Sequence, residues 1–252
     1  MLVILVTNDD GVGSFGIRTL AKALRSLGDV YVVAPEREQS AVGHALTLHR
    51  PLKFANLNKK VYFINGTPTD CVILGVNRLL PQKPNIIVSG INHGGNMGDD
   101  ITYSGTVAAA IEGTFLGIPS IAISLVTEPR NNKKKYSGFQ EAARFAQRLV
   151  SMVIKEGLPP DTLLNVNVPD IFKVKGMRFT RQGKRAYDNS IQEMSDPRGR
   201  KHYWIGGGTP LWHRGEDTDF EAVQKGFISV TPVHLDLTNY KALEYMRKKW
   251  RM

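Results

Sequence analysis

The chain has a single cysteine, Cys71, among its 252 residues. One thiol cannot form an intramolecular disulfide, so a disulfide-stabilised extracellular scaffold is excluded. Cys71 begins an apolar run, where a small buried side chain is favoured over a reactive thiol. Cysteine usage therefore favours a cytoplasmic protein.

Long apolar runs are also missing. No stretch approaches the roughly 20 apolar residues that a membrane-spanning helix requires. After Met1, the apolar run at 2–6 ends at Thr7, which is too short for the core of an export signal. We therefore expect no export signal and no membrane partner.

Two common signatures of catalysis are missing as well. The six histidines show neither the H-x₃-H nor the H-E-x-x-H spacing of zinc ligands. No G-x-S-x-G sequence indicates a serine hydrolase. These absences exclude two large hydrolase classes from the favoured interpretations.

The chain has few acidic residues for its basic ones. It contains 33 Lys and Arg but only 23 Asp and Glu, which gives a net charge of +10. The basic residues are scattered, with local clusters at 133–135, 198–201 and 247–249. They lack the interleaved aromatic residues of single-strand binders. We favour a solvated basic surface over a nucleic-acid partner.

Buried strands and amphipathic helices alternate over the first 170 residues. Residues 2–6 and 30–34 are apolar runs typical of strands covered on both faces of a parallel sheet. Between them, Ile17, Leu20 and Leu24 recur at helical spacing, which predicts a βαβ unit. The same alternation predicts a hairpin-like stretch at 44–64, strands at 85–89, 118–125 and 163–168, and helices at 67–80, 104–116 and 141–154. The pattern predicts an α/β, Rossmann-like, doubly wound and mostly parallel sheet.

The pattern changes after residue 170. Residues 176–206 predict a long β-hairpin, with turn chemistry at 196–199. A short helix at 218–226, a strand at 227–231 and a basic helix at 239–250 are predicted to follow. A hairpin of this length cannot bury both faces alone. We therefore expect a catalytic core at 1–170 and a C-terminal extension at 171–252 that makes oligomer contacts.

The sharpest chemical feature is the pair Asp9 and Asp10, which directly follows the first strand. Open α/β sheets bind ligands at the carboxyl ends of their strands. Two adjacent carboxylates there repel each other and are desolvated, which is costly without a cation. Mg²⁺ or Mn²⁺ with oxygen ligands would relieve that cost. The alternative is that one Asp caps the following helix and the other is solvated, but we favour the metal site.

A second interpretation of the same segment is dinucleotide binding. Gly11, Gly13 and Gly16 match G-x-G-x-x-G, follow a strand and open a helix, and Glu36 lies about 20 residues further on. However, Asp9 and Asp10 would direct two negative charges at the pyrophosphate. A nicotinamide-dependent dehydrogenase therefore remains an alternative that we do not favour.

Two further polar segments adjoin predicted strands or helices. Asn92 and Asn96 lie between glycines, which let backbone approach a ligand, and their amide oxygens can ligate a metal or orient a phosphate. Ser104, Gly105 and Thr106 open a helix, where free N–H groups and hydroxyls suit an anion. The alternatives are an ordinary turn and plain helix capping. Beside the Asp pair, these segments favour an anion site next to a metal site.

These motifs, in this order, resemble those of the SurE family, the stationary-phase survival protein 5′/3′-nucleotidases. The resemblance covers nearly the whole chain. The matching segments are Asn8 to Gly11, Ala34 to Ser40, Asn65 to Cys71, Ser89 to Asn96, Tyr103 to Val107, and Thr218 to Pro232.

The resemblance implies a Rossmann-like core with one divalent metal ion per subunit, Mg²⁺ or Mn²⁺. The residues that match the metal ligands are Asp9, Asp10, Ser40 and Asn92. The residues that match the phosphate pocket are Asn96, Ser104, Gly105 and Thr106. Catalytic roles fall on Asp9, Asp10 and Asn96. Ser40 is a candidate only because of the resemblance.

The resemblance also implies activity and assembly. We expect hydrolysis of nucleoside 5′- and 3′-monophosphates, and some members of the family also cleave short polyphosphate. We expect a homodimer or homotetramer formed through exchanged C-terminal elements. This expectation agrees with the unsupported hairpin.

The expected mechanism is in-line attack on a phosphoryl group that the metal polarises. Water is the favoured nucleophile, because a metal-ligating carboxylate is a poor one. An aspartyl-phosphate on Asp9 or Asp10 remains the alternative. A non-catalytic anion or nucleic-acid binder is a further alternative, which would show salt-sensitive oligonucleotide binding without turnover.

Overall fold

The structure, a computed structural model, describes residues 2–127, 137–171, 173–186, 191–205, 211–213 and 215–250. Its strands are β1 (Val3–Thr7), β2 (Asp29–Pro35), β3 (Phe54–Asn58), β4 (Val61–Ile64), β5 (Ile86–His93), β6 (Ser120–Val126), β7 (Thr162–Pro169), β8 (Met177–Phe179), β9 (Arg185–Ala186), β10 (Ile191–Ser195), β11 (Lys201–Ile205), β12 (Leu211–Trp212) and β13 (Ile228–His234). Its helices are α1 (Phe15–Leu24), α2 (Pro68–Leu74), α3 (Gly105–Phe115), α4 (Ser137–Glu156), α5 (Asp219–Gln224) and α6 (Tyr240–Lys249). A π-helical turn at Gly75–Leu79 continues α2, and a 3₁₀ helix at Gly98–Thr102 precedes α3.

One nine-stranded sheet organises the fold, in the order β3-β4-β2-β1-β5-β6-β7-β13-β8. In that order, the six neighbouring strands β4, β2, β1, β5, β6 and β7 all pair in parallel. The chain proceeds outward from β1 through β2 to β4, and then from β5 through β6 to β7 in the opposite direction. Such sheets bind ligands at this switch point, here between β1 and β5. The predicted Rossmann-like, doubly wound, mostly parallel α/β fold is confirmed.

Helices cover both faces of this sheet, with α1 beside α4 on one face and α2 beside α3 on the other. The predicted spacing in α1 is confirmed, because Ile17, Leu20 and Leu24 are all at most 1% exposed. Burial of each such side chain contributes roughly 1.5–3 kcal/mol. The Ser14 hydroxyl begins α1 by accepting a hydrogen bond from the Ile17 N–H. The core thereby fixes where the N-terminus of α1 lies relative to the end of β1.

The sheet continues beyond residue 170. Strand β13 pairs antiparallel with β7, and β8 pairs in parallel with β13. Both strands come from the C-terminal extension. The extension therefore completes one edge of the core sheet.

The hairpin predicted at 176–206 begins later in the structure than expected. Met177–Phe179 pairs with β13 instead, whereas β10 pairs with β11 around the turn at 196–200, and β9 pairs with β12. Residues 187–190 and 206 of the predicted range lie outside the described residues, as does the basic run at 133–135. A local pattern indicates a strand but not its partner, because pairing depends on tertiary context. The beginning of the predicted hairpin was therefore wrong, whereas its turn was right.

The extension leaves much apolar surface exposed. Every residue of β10 and β11 is exposed, including Trp204 and Ile205, and α6 contains no buried residue. None of the helices in the described part of the chain combines the length and the apolar character that crossing a membrane requires.

Candidate active site

A cleft with a volume of about 790 Å³ lies at the switch point, beside the carboxyl ends of β1 and β5. Four of the segments that line it carry predicted site residues: the end of β1, the loop after β2, the end of β5 with its following loop, and the start of α3. The sequence-predicted residues that line it are Asp9, Asp10, Ser40, Asn92, Asn96 and Ser104. The fold therefore gathers them into one concave surface.

Asp9 is the buried member of the carboxylate pair, with 7% of its surface exposed. Its Oδ2 accepts a hydrogen bond from the Thr106 N–H at 3.0 Å, and its Oδ1 accepts one from the Thr106 hydroxyl at 2.5 Å. Burial raises the pKa of Asp9, and the hydrogen bonds from Thr106 oppose that rise. The start of α3 thus holds both oxygens of a carboxylate that burial disfavours as an anion.

Asp10 is half-buried, and its Oδ2 accepts a hydrogen bond from the His93 N–H at 3.2 Å. Burial, followed by the neighbouring charge of Asp9, raises the pKa of Asp10 to about 6. Near neutral pH the Asp10 carboxylate is therefore ionised, directly beside a second carboxyl group whose charge burial disfavours. A bound cation would remove this cost.

The loop after β2 brings further oxygen atoms to the cleft. The Gln39 N–H donates to the Asp9 carbonyl at 2.8 Å, which ties this loop to the end of β1. The exposed Ser40 hydroxyl donates to Glu38 Oε1 at 2.5 Å. Glu38 also lines the cleft, and its charge adds to the effect of burial in raising the pKa of both Asp9 and Asp10. Sequence reasoning missed Glu38, because no spacing distinguishes it from an ordinary surface glutamate.

The two asparagines differ in their surroundings. Asn92 is half-buried, and its Nδ2 donates to the Gly94 carbonyl at 2.9 Å. That bond uses the amide nitrogen and leaves the amide oxygen as the group suited to a cation. Asn96 is only 8% exposed, and its Nδ2 donates to Ser124 Oγ at 2.7 Å.

The start of α3 is arranged differently from the predicted phosphate pocket. Ser104 lines the cleft and caps α3, since its Oγ accepts from the Val107 N–H at 3.1 Å. Thr106 is fully buried and directs its N–H and hydroxyl at Asp9 instead of the cleft. A Cβ added to Gly105 would lie 2.9 Å from the Asp9 Cβ, so only glycine allows this close approach. The sequence could not show this, because the anion facing these donors is a side chain of the protein itself.

The extension supplies a cation that the sequence analysis did not assign. Arg185 lines the cleft. Its guanidinium Nη1 donates to both Asp100 carboxylate oxygens at 2.5–2.6 Å. Its backbone N–H donates to Asp99 Oδ2 at 2.9 Å. Asp100 and Arg185 are far apart in sequence, so no local motif could link them. Among the described lining residues, four carboxylates (Asp9, Asp10, Glu38 and Asp100) outnumber this one guanidinium. The cleft is therefore suited to a cation.

Aromatic side chains also line the cleft beyond the predicted set. Phe15 and Phe139 make an edge-to-face contact with centroids 5.5 Å apart, and His93 stacks on Phe139 at 6.2 Å. Tyr103 lines the cleft and is more than half exposed. These rings offer flat apolar surface to a ligand that carries an aromatic ring.

Two glycines of the G-x-G-x-x-G match, Gly11 and Gly16, have local structural explanations. A Cβ on Gly16 would lie 2.0 Å from the Ile91 carbonyl oxygen, so this glycine lets α1 pack closely against β5. Gly11 has a φ of +90°, and the Asn8 Nδ2 donates to its carbonyl at 3.0 Å. These two glycines are thus explained by a tight turn and by close packing, without a dinucleotide.

Within the described part of the chain, no three His, Cys, Asp or Glu side chains gather into a metal-binding group. A cation at the Asp pair would therefore depend on serine and asparagine oxygens as well. Such an all-oxygen donor set suits Mg²⁺ or Mn²⁺.

Comparison with known proteins gives a consistent result. A family model described as "Survival protein SurE" matches residues 4–189. A protein named 5′-nucleotidase SurE from Geobacter metallireducens is 57% identical, covering 98% of this chain and 96% of the relative. One with the same name from Pelobacter propionicus is 54% identical, covering 96% of each chain.

The crystal structure of the SurE protein from Aquifex aeolicus matches with a TM-score of 0.84 and 45% identity, covering 98% of each chain. The match thus holds for sequence and fold alike, and it spans the cleft at the switch point. The chain belongs to the SurE family.

Proposed function

We propose that this chain is a divalent-metal-dependent phosphomonoesterase that hydrolyses nucleoside 5′- and 3′-monophosphates to nucleoside and phosphate. The proposal extends to short polyphosphate as a further substrate. It is supported by family membership and by the name 5′-nucleotidase that the similar proteins carry. The substrate class is inferred from the similarity to these proteins.

The observation that carries the proposal is the Asp9 and Asp10 pair in the cleft. Two adjacent carboxylates, one buried and the other half-buried, lie at the ligand-binding end of a doubly wound sheet. A purely structural pair would be expected to have basic partners. Instead, the hydrogen bonds to these carboxylates come from neutral groups of Thr106 and His93.

The proposed metal ligands are Asp9, Asp10, Ser40 and Asn92, all of which line the cleft. One Mg²⁺ or Mn²⁺ ion per subunit fits their all-oxygen chemistry. When bound, it would supply Lewis-acid polarisation of the phosphoryl group and offset the repulsion between the carboxylates. Asn96 and Ser104 are the proposed phosphate-binding residues, whereas Gly105 and Thr106 serve that pocket by fixing Asp9.

The two carboxylates have different proposed roles. Both oxygens of Asp9 accept hydrogen bonds from Thr106, which makes Asp9 a poor nucleophile and a poor base. The His93 N–H engages Oδ2 of Asp10, so we assign Oδ1 as the oxygen that accepts a proton from an attacking water. We therefore favour water over an aspartyl-phosphate. Trapping of a phosphoenzyme on Asp9 or Asp10 during turnover would contradict this choice.

The test of the activity is phosphate release from 5′- and 3′-nucleoside monophosphates with Mg²⁺, Mn²⁺ or EDTA. Release with metal and none with EDTA supports the proposal and ranks the substrates. Tight binding of NAD(P) without metal and without release would favour the dehydrogenase instead. Salt-sensitive oligonucleotide binding without release would favour the non-catalytic binder.

We also propose that residues 1–170 carry the catalytic chemistry and that 171–252 make the contacts of a homodimer or homotetramer in the cytoplasm. The exposed Trp204 and Ile205 of β11 support an interface there. Arg185 belongs to the extension and lines the cleft, so the extension also contributes to the site. Sedimentation of wild type beside Trp204→Ser, with a lower mass expected for the variant, tests the assembly.

A further inference from the structure

Asn96 is fixed at the cleft by side chains from two neighbouring strands. Its N–H donates to Asn167 Oδ1 at 2.9 Å, and its carbonyl accepts from Asn165 Nδ2 at 2.9 Å and Asn167 Nδ2 at 2.8 Å. Its own Nδ2 donates to Ser124 Oγ at 2.7 Å. The Asn167 amide thus pairs with both backbone groups of Asn96, as a neighbouring strand would.

These partners lie where a sheet normally carries apolar residues. Ser124 on β6 and Asn167 on β7 are paired positions of adjacent strands, and both are fully buried. Asn165 lies two residues earlier on the same face of β7 and is 1% exposed. The opposite face of β7 carries Leu164, Val166 and Val168. Because an unpaired buried polar group is costly, this polar cluster depends on the hydrogen bonds to Asn96.

We propose that Ser124 and Asn167 are positioning residues that hold Asn96 for substrate. Asn167 fixes the backbone of Asn96, and Ser124 fixes its side-chain amide. This inference rests on the proposed function, in which Asn96 binds the phosphoryl group. A preorganised amide stabilises developing charge without a reorganisation cost at the moment of reaction.

The first test compares two serine variants of the same strand. Ser124→Ala removes the partner of the Asn96 amide. Ser120→Ala is the matched control, because Ser120 is also fully buried on β6 but its hydroxyl donates to the Ile118 carbonyl. We expect kcat for nucleoside monophosphates to fall about tenfold in Ser124→Ala, with KM little changed, because outer partners of site residues have effects of this size. Ser120→Ala should keep the wild-type kcat. Equal kcat in both variants would overturn the proposal.

A double-mutant cycle separates positioning from general damage. In the Asn96→Ala background, Ser124→Ala should lower kcat no further, since the group that it positions is gone. The same fall in both backgrounds would overturn the proposal. Asn167→Ala should lower kcat more than Ser124→Ala, because it removes two bonds to Asn96. If that variant fails to fold, the Ser124 cycle decides alone.

Phosphate binding gives a readout that does not require turnover. Titration of inorganic phosphate in the presence of Mn²⁺ should show affinity about tenfold weaker for Ser124→Ala and unchanged for Ser120→Ala. If the wild type releases no phosphate, the proposed function fails, and this titration still decides the positioning. Equal affinity in wild type and Ser124→Ala, or no binding to wild type, would overturn the inference.

Discussion

At the residue scale, the Asp9 and Asp10 pair makes the metal-free protein sensitive to pH. Burial and the Asp9 charge raise the pKa of Asp10 from 3.8 to about 6, and burial also raises the pKa of Asp9. Between the ordinary pKa of Asp10, 3.8, and its raised pKa of about 6, the folded state binds more protons than the unfolded state. The free energy of unfolding therefore falls as pH rises. We expect the metal-free protein to lose stability between about pH 4 and pH 6.

Denaturant unfolding at several pH values, with EDTA or Mn²⁺, measures this effect. Mn²⁺ should reduce the loss, because it binds the ionised pair of the folded state. A pH dependence that is identical with EDTA and with Mn²⁺ would contradict a cation at this pair. Asp10→Asn, which removes one titrating group, should flatten the dependence in EDTA.

Gly105 is the residue whose size most directly controls Asp9. Gly105→Ala places a methyl group 2.9 Å from the Asp9 Cβ and 3.2 Å from Pro68 Cγ. Such overpacking costs about 1–3 kcal/mol and should displace Asp9 from its cleft position. Gly13→Ala is the control, since nothing lies within 4 Å of its added Cβ. Thermal unfolding with Mn²⁺ titration should show weaker metal binding in Gly105→Ala only.

At the element scale, the N-terminus of α3 serves as an anchor for Asp9. Thr106→Val removes the hydroxyl donor and keeps the N–H donor. Loss of an outer partner of a metal ligand should reduce metal affinity by about 10–100-fold. Thr114→Val is a matched control, because its hydroxyl donates to the Ala110 carbonyl within α3. Equal Mn²⁺ affinity in the two variants, measured by calorimetry, would contradict the anchoring role.

Elements with a strong local pattern were predictable from the sequence. Strand β1 is an apolar run, β5 begins with one, α1 has helical spacing, and Thr67 and Pro68 mark the start of α2. Their order indicated a doubly wound sheet, in which Asp9 and Asn92 follow the apolar runs of two strands. Strand β8 was assigned to the hairpin, because its three residues carry no information about their partner. Arg185 and Glu38 were missed because their roles arise from contacts between distant segments.

At the scale of the whole molecule, Asp219 connects the extension to the cleft loop. It is fully buried, and its carboxylate accepts hydrogen bonds from the Gly98 N–H at 2.8 Å and the Gly183 N–H at 2.9 Å. The Gln182 side chain also donates to the Gly98 carbonyl at 2.9 Å. The loop between Asn96 and α3 is therefore held in place by residues of the C-terminal extension.

Asp219→Asn should disturb that connection, because an amide group cannot accept both bonds and leaves a buried donor unpaired. We expect a loss of about 1–3 kcal/mol in unfolding free energy, together with a lower kcat. Asp70→Asn is the control, since Asp70 is 3% exposed and accepts from the Thr47 and Thr67 N–H groups. It should lose similar stability and keep its kcat. Equal kcat in both variants would show that the loop does not depend on the extension.

The measurement that tests the central claim most directly is phosphate release from a nucleoside 5′-monophosphate by wild type and Asp9→Asn, each with Mn²⁺ and with EDTA. The proposed site predicts release by wild type with Mn²⁺ and little with EDTA. It also predicts that Asp9→Asn loses at least about 100-fold in rate, because a ligand matters more than its outer partners. Wild-type release that persists in EDTA, or an Asp9→Asn variant with an unchanged rate, would contradict a catalytic metal at this pair.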